Sequence, residues 1–354
     1  MAEQFRKITL SGSPEEIGLQ HGKLLSEQIH RNIEFYKPIF LANLGGEAQV
    51  LQSTGRIKEH IKAFNPKYIT EIDHIALGAE VSEPLWLYAI NARTELALTK
   101  HFTECTAMVF PQHNIIGQTW DWAQPLEDNS VIMEILFPSG HRILQLTEAG
   151  IIGKIGLNNC GLGVTLNILW ILDQVLSGVP IHIVLRAVLE SQTLEGARNA
   201  IIRSGVGKAS NIIVAQAGHA FDIEFDGIDT YYHVIQDEVY THTNHFIHSV
   251  KSIQLDETER ANSIARYKKA VEELSKVGEF STQEMISILS DQSNEENSIL
   301  TTYKPDTQLG RGYCGTIATI VMDLEKRIMK VRKGNPSSPS FSIDSFTQFH
   351  LSVP

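Results

Sequence analysis

Apolar positions over roughly the first hundred residues fall at helical spacing. Ser13-Pro14-Glu15-Glu16 opens the first run, with Ser13 placed as N-cap, Pro14 at the first helical position and Glu16 closing a capping box. Ile17, Gln20, His21, Leu24, Leu25, Gln28 and Ile29 follow on one face and predict a long amphipathic helix to about Leu44. Pro38 is a candidate kink within it, and Gly45-Gly46 ends it. Further helical patterns cover about Ala48 to Phe64, Pro66 to Gly78 and Pro84 to Leu98.

The pattern changes at Cys105. From there to about Leu169 the chain offers short β-rich runs between turn residues, among them "TAMVF", "NIIGQTW", "SVIMEILF", "RILQLT", "IIGKIGLN" and "GLGVTLNIL". They read as successive antiparallel strands. Helical patterns from about Pro180 to Ser191 and Leu194 to Ser204 follow, then strands in "SNIIVAQAG", "AFDIEFDG", "TYYHVIQ" and "VYTHTN". Helical patterns at 257–274 and 282–290 precede a closing hairpin, "GTIATIVMDLEKRIMKVRKG". This order lacks strict β-α-β alternation and predicts an α+β fold, two packed sheets with helices outside. The stretch 290–312 stands out as irregular, long enough for a binding or lid loop.

Composition narrows the function classes. The 354 residues allow one or two domains, and no window approaches the roughly 18 consecutive apolar residues of a membrane span. The N-terminus lacks the pattern of a secretory signal, and "HLSVP" at the end is no Ser-Lys-Leu address. Three cysteines, an odd and small number, fit a reducing, cytoplasmic setting. A net charge of −11 argues against a nucleic-acid partner. The dense basic run at 325–334 reads as a solvent-facing strand.

Cys105 sits where the helical preface gives way to strands. A thiol there is an effective nucleophile if a nearby base takes its proton. If the chain were cut between Glu104 and Cys105, the new α-amino group would be such a base. A buried structural cysteine fits the same position, and position alone leaves both readings open. His242, His245 and His248 recur every three residues, a spacing that does not put three side chains on one side of a strand, so no metal is expected. Asp121, between Trp120 and Trp122, reads either as a turn residue or as a partly desolvated carboxylate beside a pocket. The glycines of "EAGIIGKIGLNNCGLG" lack the context of a phosphate loop, and close packing between sheets explains them more simply.

Taken together, "GLQHGKLL", "NARTE", "CTAMV", "GQTWDW", "TEAGIIGKIGLNNCGLGV", "GVPIHIVLRAVLES", "HTNH" and the final hairpin ending in "GNP" resemble the acyl-coenzyme A:6-aminopenicillanate acyltransferases, also called isopenicillin N acyltransferases, of the C45 group of N-terminal-nucleophile hydrolases. The resemblance spans nearly the whole chain. It implies a four-layer αββα sandwich and a precursor that cuts itself between Glu104 and Cys105. A helical piece, 1–104, would stay with the catalytic piece, 105–354, as a heterodimer forming one structural unit. It further implies that Cys105 is the nucleophile, that Asn244 is an oxyanion-hole donor, and that Asp121 orients groups near the nucleophile. The expected substrate is a small N-acyl amide, cleaved or transferred through a Cys105 thioester. No bound cofactor is expected, with acyl-coenzyme A as a donor at most. Glu104 departs from the glycine of a fungal member, and near Tyr313 a family arginine is missing, with Arg311 close by. Trp120, Trp122 and Arg311 are the candidate substrate-binding residues. The alternative is an uncleaved, non-catalytic relative that uses the sandwich as a binding scaffold.

Overall fold

The computed structural model describes residues 4–97, 105–169, 178–205, 209–249, 257–293, 297–306, 312–338 and 341–351. The helical preface begins with a strand, β1 (Lys7–Ser11), followed by α1 (Pro14–Leu24), α2 (Ser26–Leu44), α3 (Glu47–Phe64), α4 (Pro66–Gly78), α5 (Leu85–Asn91) and α6 (Arg93–Ala97). The Ser13–Glu16 capping box is present in full. The single helix predicted to Leu44 is instead broken at Leu25, whose backbone leaves the helical region while its side chain enters the core. Gly45 ends α2 in the left-handed conformation, which favours glycine. The last predicted helix is likewise split, at Ala92. Helices α1 and α4 cross tightly, since a Cβ on Gly18 or Gly22 would lie 2.3 Å from a carbonyl oxygen of α4, Glu71 or Ile75.

After Cys105 come β2 (Ala107–Phe110), β3 (Ile115–Ala123), β4 (Ser130–Leu136), β5 (Arg142–Glu148), β6 (Ile155–Asn158) and β7 (Gly163–Ile168). Then follow α7 (Ile181–Glu190), α8 (Leu194–Arg203), β8 (Ser210–Gln216), β9 (His219–Phe225), β10 (Thr230–Ile235) and β11 (Tyr240–His242). The chain closes with α9 (Glu257–Leu274), α10 (Thr282–Leu289), β12 (Lys304–Asp306), β13 (Gly312–Asp323), β14 (Ile328–Lys333) and β15 (Thr347–His350). Among the described residues, one sheet has eight strands in the order β1-β4-β5-β6-β7-β8-β9-β10, with β1 parallel to β4 and the other pairs antiparallel. The other has seven, in the order β11-β2-β3-β13-β14-β15, with β12 beside β13.

The two sheets face each other through β2 and β3 on one side and β7 and β8 on the other. Helices α7 and α8 pack on the eight-stranded sheet, and α9 and α10 on the seven-stranded one. The fold is thus an α+β, four-layer αββα sandwich. Glycines let the sheets approach, for a Cβ on Gly163 would lie 2.5 Å from Leu324 and 2.9 Å from Ile116. One continuous core contains residues from both sides of Cys105.

Helices α1, α2 and α5 grip the turn after β5. Asn32 donates to Ala149 O at 2.8 Å, His21 Nε2 accepts from Gly150 N at 2.9 Å, and Asn91 bonds both Gly150 O and Ile152 N. Two further expectations need correction. The 325–334 run is not simply a solvent-facing strand: β14 lies between β13 and β15, and Met329, Val331 and Arg332 are buried, with Arg332 donating to Ser290 and Thr319. The 290–312 stretch is not wholly irregular, because β12 pairs with β13 and Ile299 and Leu300 are buried.

Candidate active site

Cys105 lies just ahead of β2, which runs between β11 and β3. Its thiol points at Asp121 O, 4.0 Å away, and its own carbonyl oxygen accepts from Asn167 Nδ2 and from Arg266, each at 2.9 Å. The same guanidinium donates to Thr106 Oγ1 at 3.0 Å, to Asn244 Oδ1 at 2.9 Å and to Asn262 Oδ1 at 2.9 Å. Asn244 in turn donates from Nδ2 to Ile168 O at 2.9 Å and from its backbone N–H to Ser263 Oγ at 2.8 Å. Asp121 is in β3, not in a turn, and is buried opposite Thr316 of β13. The pairing shifts register right after Thr316, a bulge of the kind that redirects side chains beside functional sites. Asn335, of the "GNP" motif, holds Thr316 O at 3.0 Å. Cys105 therefore has Asp121 at its sulfur and is joined to Asn244 through Arg266.

Burial pushes the Cys105 thiol up to about 12, the Asp121 charge adds to the rise, and its backbone bond to Asp121 together with Arg266 and Lys154 pull the other way. Next to it is a buried ion cluster. Glu148 accepts from Arg93 at 2.8 Å, from Lys154 at 3.0 Å and from the Tyr36 hydroxyl at 2.6 Å. Burial, with help from the Arg93 cation, holds the Lys154 ammonium down to about 7 against the opposing pull of Glu148. Lys154 sits 3.7 Å over the Trp120 ring and Arg93 4.2 Å over the Trp122 ring, while Trp122 Nε1 donates to Tyr36 at 2.8 Å. Both tryptophans are buried and engaged by these side chains.

The three histidines do not share one side: His242 and His248 face the Asp222 and Glu224 carboxylates, and His245 turns away. His245 bonds Ser263 at 2.8 Å, whereas His242 bonds Glu224 at 2.9 Å and His248 lies 3.6 Å from Asp222. The fold does bring carboxylates to His242: ligand atoms of Asp222, Glu224 and His242 lie within 4.8 Å of one another. Their lone pairs are committed to hydrogen bonds. Glu224 also accepts from the backbone N–H groups of Ile247, His248 and Ser249, and both His242 ring nitrogens face acceptors, Glu224 and Thr243 O. Burial opposes a charge on His242, yet its carboxylate neighbours outweigh burial and raise its pKa. The cluster thus reads as a buried imidazolium that braces the segment carrying Asn244.

Glu104 and Arg311 lie outside the described residues. Arg266, Asn167, Lys154, Glu148 and Arg93 were not singled out by the sequence, although Ser263, Arg266, Ala270 and Leu274 do share the buried face of α9. An arginine at helical spacing within such a face was the available signal.

Residues 110–338 match the family described as acyl-coenzyme A:6-aminopenicillanic acid acyl-transferase. The acyl-coenzyme A:6-aminopenicillanic-acid-acyltransferase 40 kDa form of Emericella nidulans is 31% identical over 344 residues, covering 94% of this chain and 93% of that protein. Among solved structures, a mutant conjugated bile acid hydrolase from Clostridium perfringens aligns with a TM-score of 0.45 and 10% identity, over 71% of this chain and 97% of that one. Penicillin V acylase from Agrobacterium tumefaciens aligns with a TM-score of 0.40 and 14% identity, over 65% and 82%. Those two likenesses are too distant to carry an argument. The match over most of the sequence does carry one: the chain belongs to the acyl-coenzyme A:6-aminopenicillanic acid acyl-transferase family.

Proposed function

We propose that the protein is a self-processing thiol amidohydrolase or acyltransferase that works on small N-acyl amides through a thioester on Cys105. The observation that carries this reading is the shared guanidinium, which holds the Cys105 carbonyl and the Asn244 amide in one buried network. In the uncut chain the thiol is held protonated, near 12, and Cys105 has no free amine. Attack of Sγ on the Glu104 carbonyl carbon breaks the Glu104–Cys105 C–N bond as the thiol proton passes to the departing nitrogen, and hydrolysis of the resulting thioester would leave a Glu104 carboxylate, a free thiol and a free Cys105 α-amino group. That amine, with a free pKa of about 8, is then a base at the thiol.

In turnover the amine takes the thiol proton, Sγ bonds to the acyl carbon, and Asn244 Nδ2 stabilises the oxyanion. The C–N bond of the substrate breaks as the leaving amine receives the proton. Water or an acceptor amine next attacks the thioester, releasing acid or a new amide and returning the thiol. Asp121 orients groups around the sulfur. Segments 1–104 and 105–354 remain together after the cut, held by the contacts of α1, α2 and α5 with the turn after β5. Trp120 and Trp122 border the acceptor pocket in this reading, and the stretch 291–312 expected to join them lies partly outside the described residues. Cys105, Cys160 and Cys314 are present as thiols, which suits a reducing compartment.

The test is to offer processed protein N-acyl amines, N-acyl amino acids and acyl thioesters, acyl-coenzyme A included, with and without an acceptor amine. Acyl mass on Cys105, with free acid or new amide as product, supports the reading. A Cys105 that no donor acylates favours a binding scaffold instead.

A further inference from the structure

The geometry assigns to Arg266 the part of a positioning residue for acyl transfer, fixing the nucleophile and the oxyanion amide relative to each other. This rests on the thioester reading above and adds to it a residue outside the catalytic group. Arg266 reaches from α9 in the outer helix layer to the start of β2 and is fully buried. All of its guanidinium nitrogens donate: Nε to Asn262, Nη1 to Cys105 O and Thr106 Oγ1, and Nη2 to Asn244 Oδ1. Two separate stretches of chain, Cys105-Thr106 at 161 and 160 residues from Arg266 and Asn244 at 22, thereby share one rigid plane. A lysine, with donors around a single nitrogen, cannot span acceptors on both edges of that plane.

The bond to Asn244 decides which way its amide faces. With Oδ1 held by Arg266 and one Nδ2–H given to Ile168 O, the amide plane is fixed and the other Nδ2–H is left to meet a developing oxyanion. Without Arg266 the amide can turn Oδ1 toward that oxyanion, which repels it. The bond to Cys105 O separately fixes the residue from which the sulfur hangs. The guanidinium charge also pulls the thiol pKa down, against burial.

The test is a double-mutant cycle on processed enzyme with p-nitrophenyl octanoate as acyl donor, following the p-nitrophenolate burst and steady turnover. Arg266→Lys is expected to lower kcat by about fiftyfold with KM changed less than about threefold, since a misplaced catalytic group costs on the order of a hundredfold. Asn244→Ala with Arg266→Lys should lose clearly less than the product of the two single losses, because the share of the Arg266 effect that runs through the Asn244 amide is already gone. A purely structural role would instead lower the melting temperature and give losses that multiply. If Arg266→Lys does not fold, Asn262→Ala, which loosens only the Nε end, takes its place, with a severalfold loss that again shrinks in the Asn244→Ala background. A kcat within about threefold of wild type, or independent losses, overturns the assignment. A wild-type enzyme that shows no burst and no acyl mass on Cys105 overturns the thioester reading and this assignment with it, an outcome separate from normal bursts in both wild type and variants.

Discussion

Arg93 and Glu148 form a buried ion pair at 2.8 Å that joins the segment before Cys105 to the eight-stranded sheet after it. Neither charge reaches water. Cutting the chain at Cys105 leaves this pair intact, so the fragments should purify together and separate only on denaturation. Arg93→Met strands part of the Glu148 charge, although Lys154 and Tyr36 remain on it. The expected loss is about 3 kcal/mol, the low end for breaking a buried pair. Urea unfolding measures it, and a change under about 1 kcal/mol would contradict the account.

Acid should weaken the fold through His21. Its Nε2 must be unprotonated to accept from Gly150 N, and burial, aided by the Arg186 charge, holds it down to about 3. The unfolded chain binds this proton near 6.5, so the stability is fully present above that pH and is lost as pH falls toward the folded value. At pH 5 the loss is about 2 kcal/mol. His21→Gln keeps an acceptor and removes the titration. Urea midpoints at pH 7 and pH 5 should therefore differ less in the variant, and equal acid sensitivity would rule the residue out.

Lys154 should tune the thiol in a pH-dependent way. While charged, below about 7, it favours the Cys105 thiolate. Lys154→Met is expected to slow iodoacetamide alkylation of Cys105 by about tenfold at pH 6, one unit of thiol pKa. The ratio of rates should approach one by about pH 9, where the wild-type lysine is neutral. A ratio that stays constant with pH would show that Lys154 acts only by packing.

Much of this was legible in the sequence, and the failures have physical causes. The Ser13 cap, the change at Cys105 and the glycines between sheets are local signals, and each was read from a short stretch. The break at Leu25 was not, because apolar spacing runs straight through it while the backbone departs only to seat one side chain. Strand β1 is five residues long and finds its partner β4 far along the chain. Arg266 and Lys154 escaped for a related reason. A charged residue reads as surface until the fold supplies its partners, and Arg266 meets Cys105 across 161 residues.

Asn244→Ala should process and fold while turning over about a hundredfold more slowly, the usual effect of losing one oxyanion donor. Turnover within about threefold would make Asn244 a structural residue after β11. Asp121→Asn separates two roles. Its charge raises the thiol pKa, so charge alone predicts faster cleavage in the variant, whereas orientation of groups at the sulfur predicts slower cleavage. We expect slower cleavage, read as the half-life of the full-length chain.

The most direct measurement is the intact mass of the purified protein under denaturing conditions, with N-terminal sequencing of every species. The account predicts two polypeptides, the larger beginning at Cys105 and containing 354 − 104 = 250 residues, and a single folded chain from Cys105→Ala. One full-length species that nevertheless turns over N-acyl substrates would contradict it, because no α-amino group would then be present at the nucleophile.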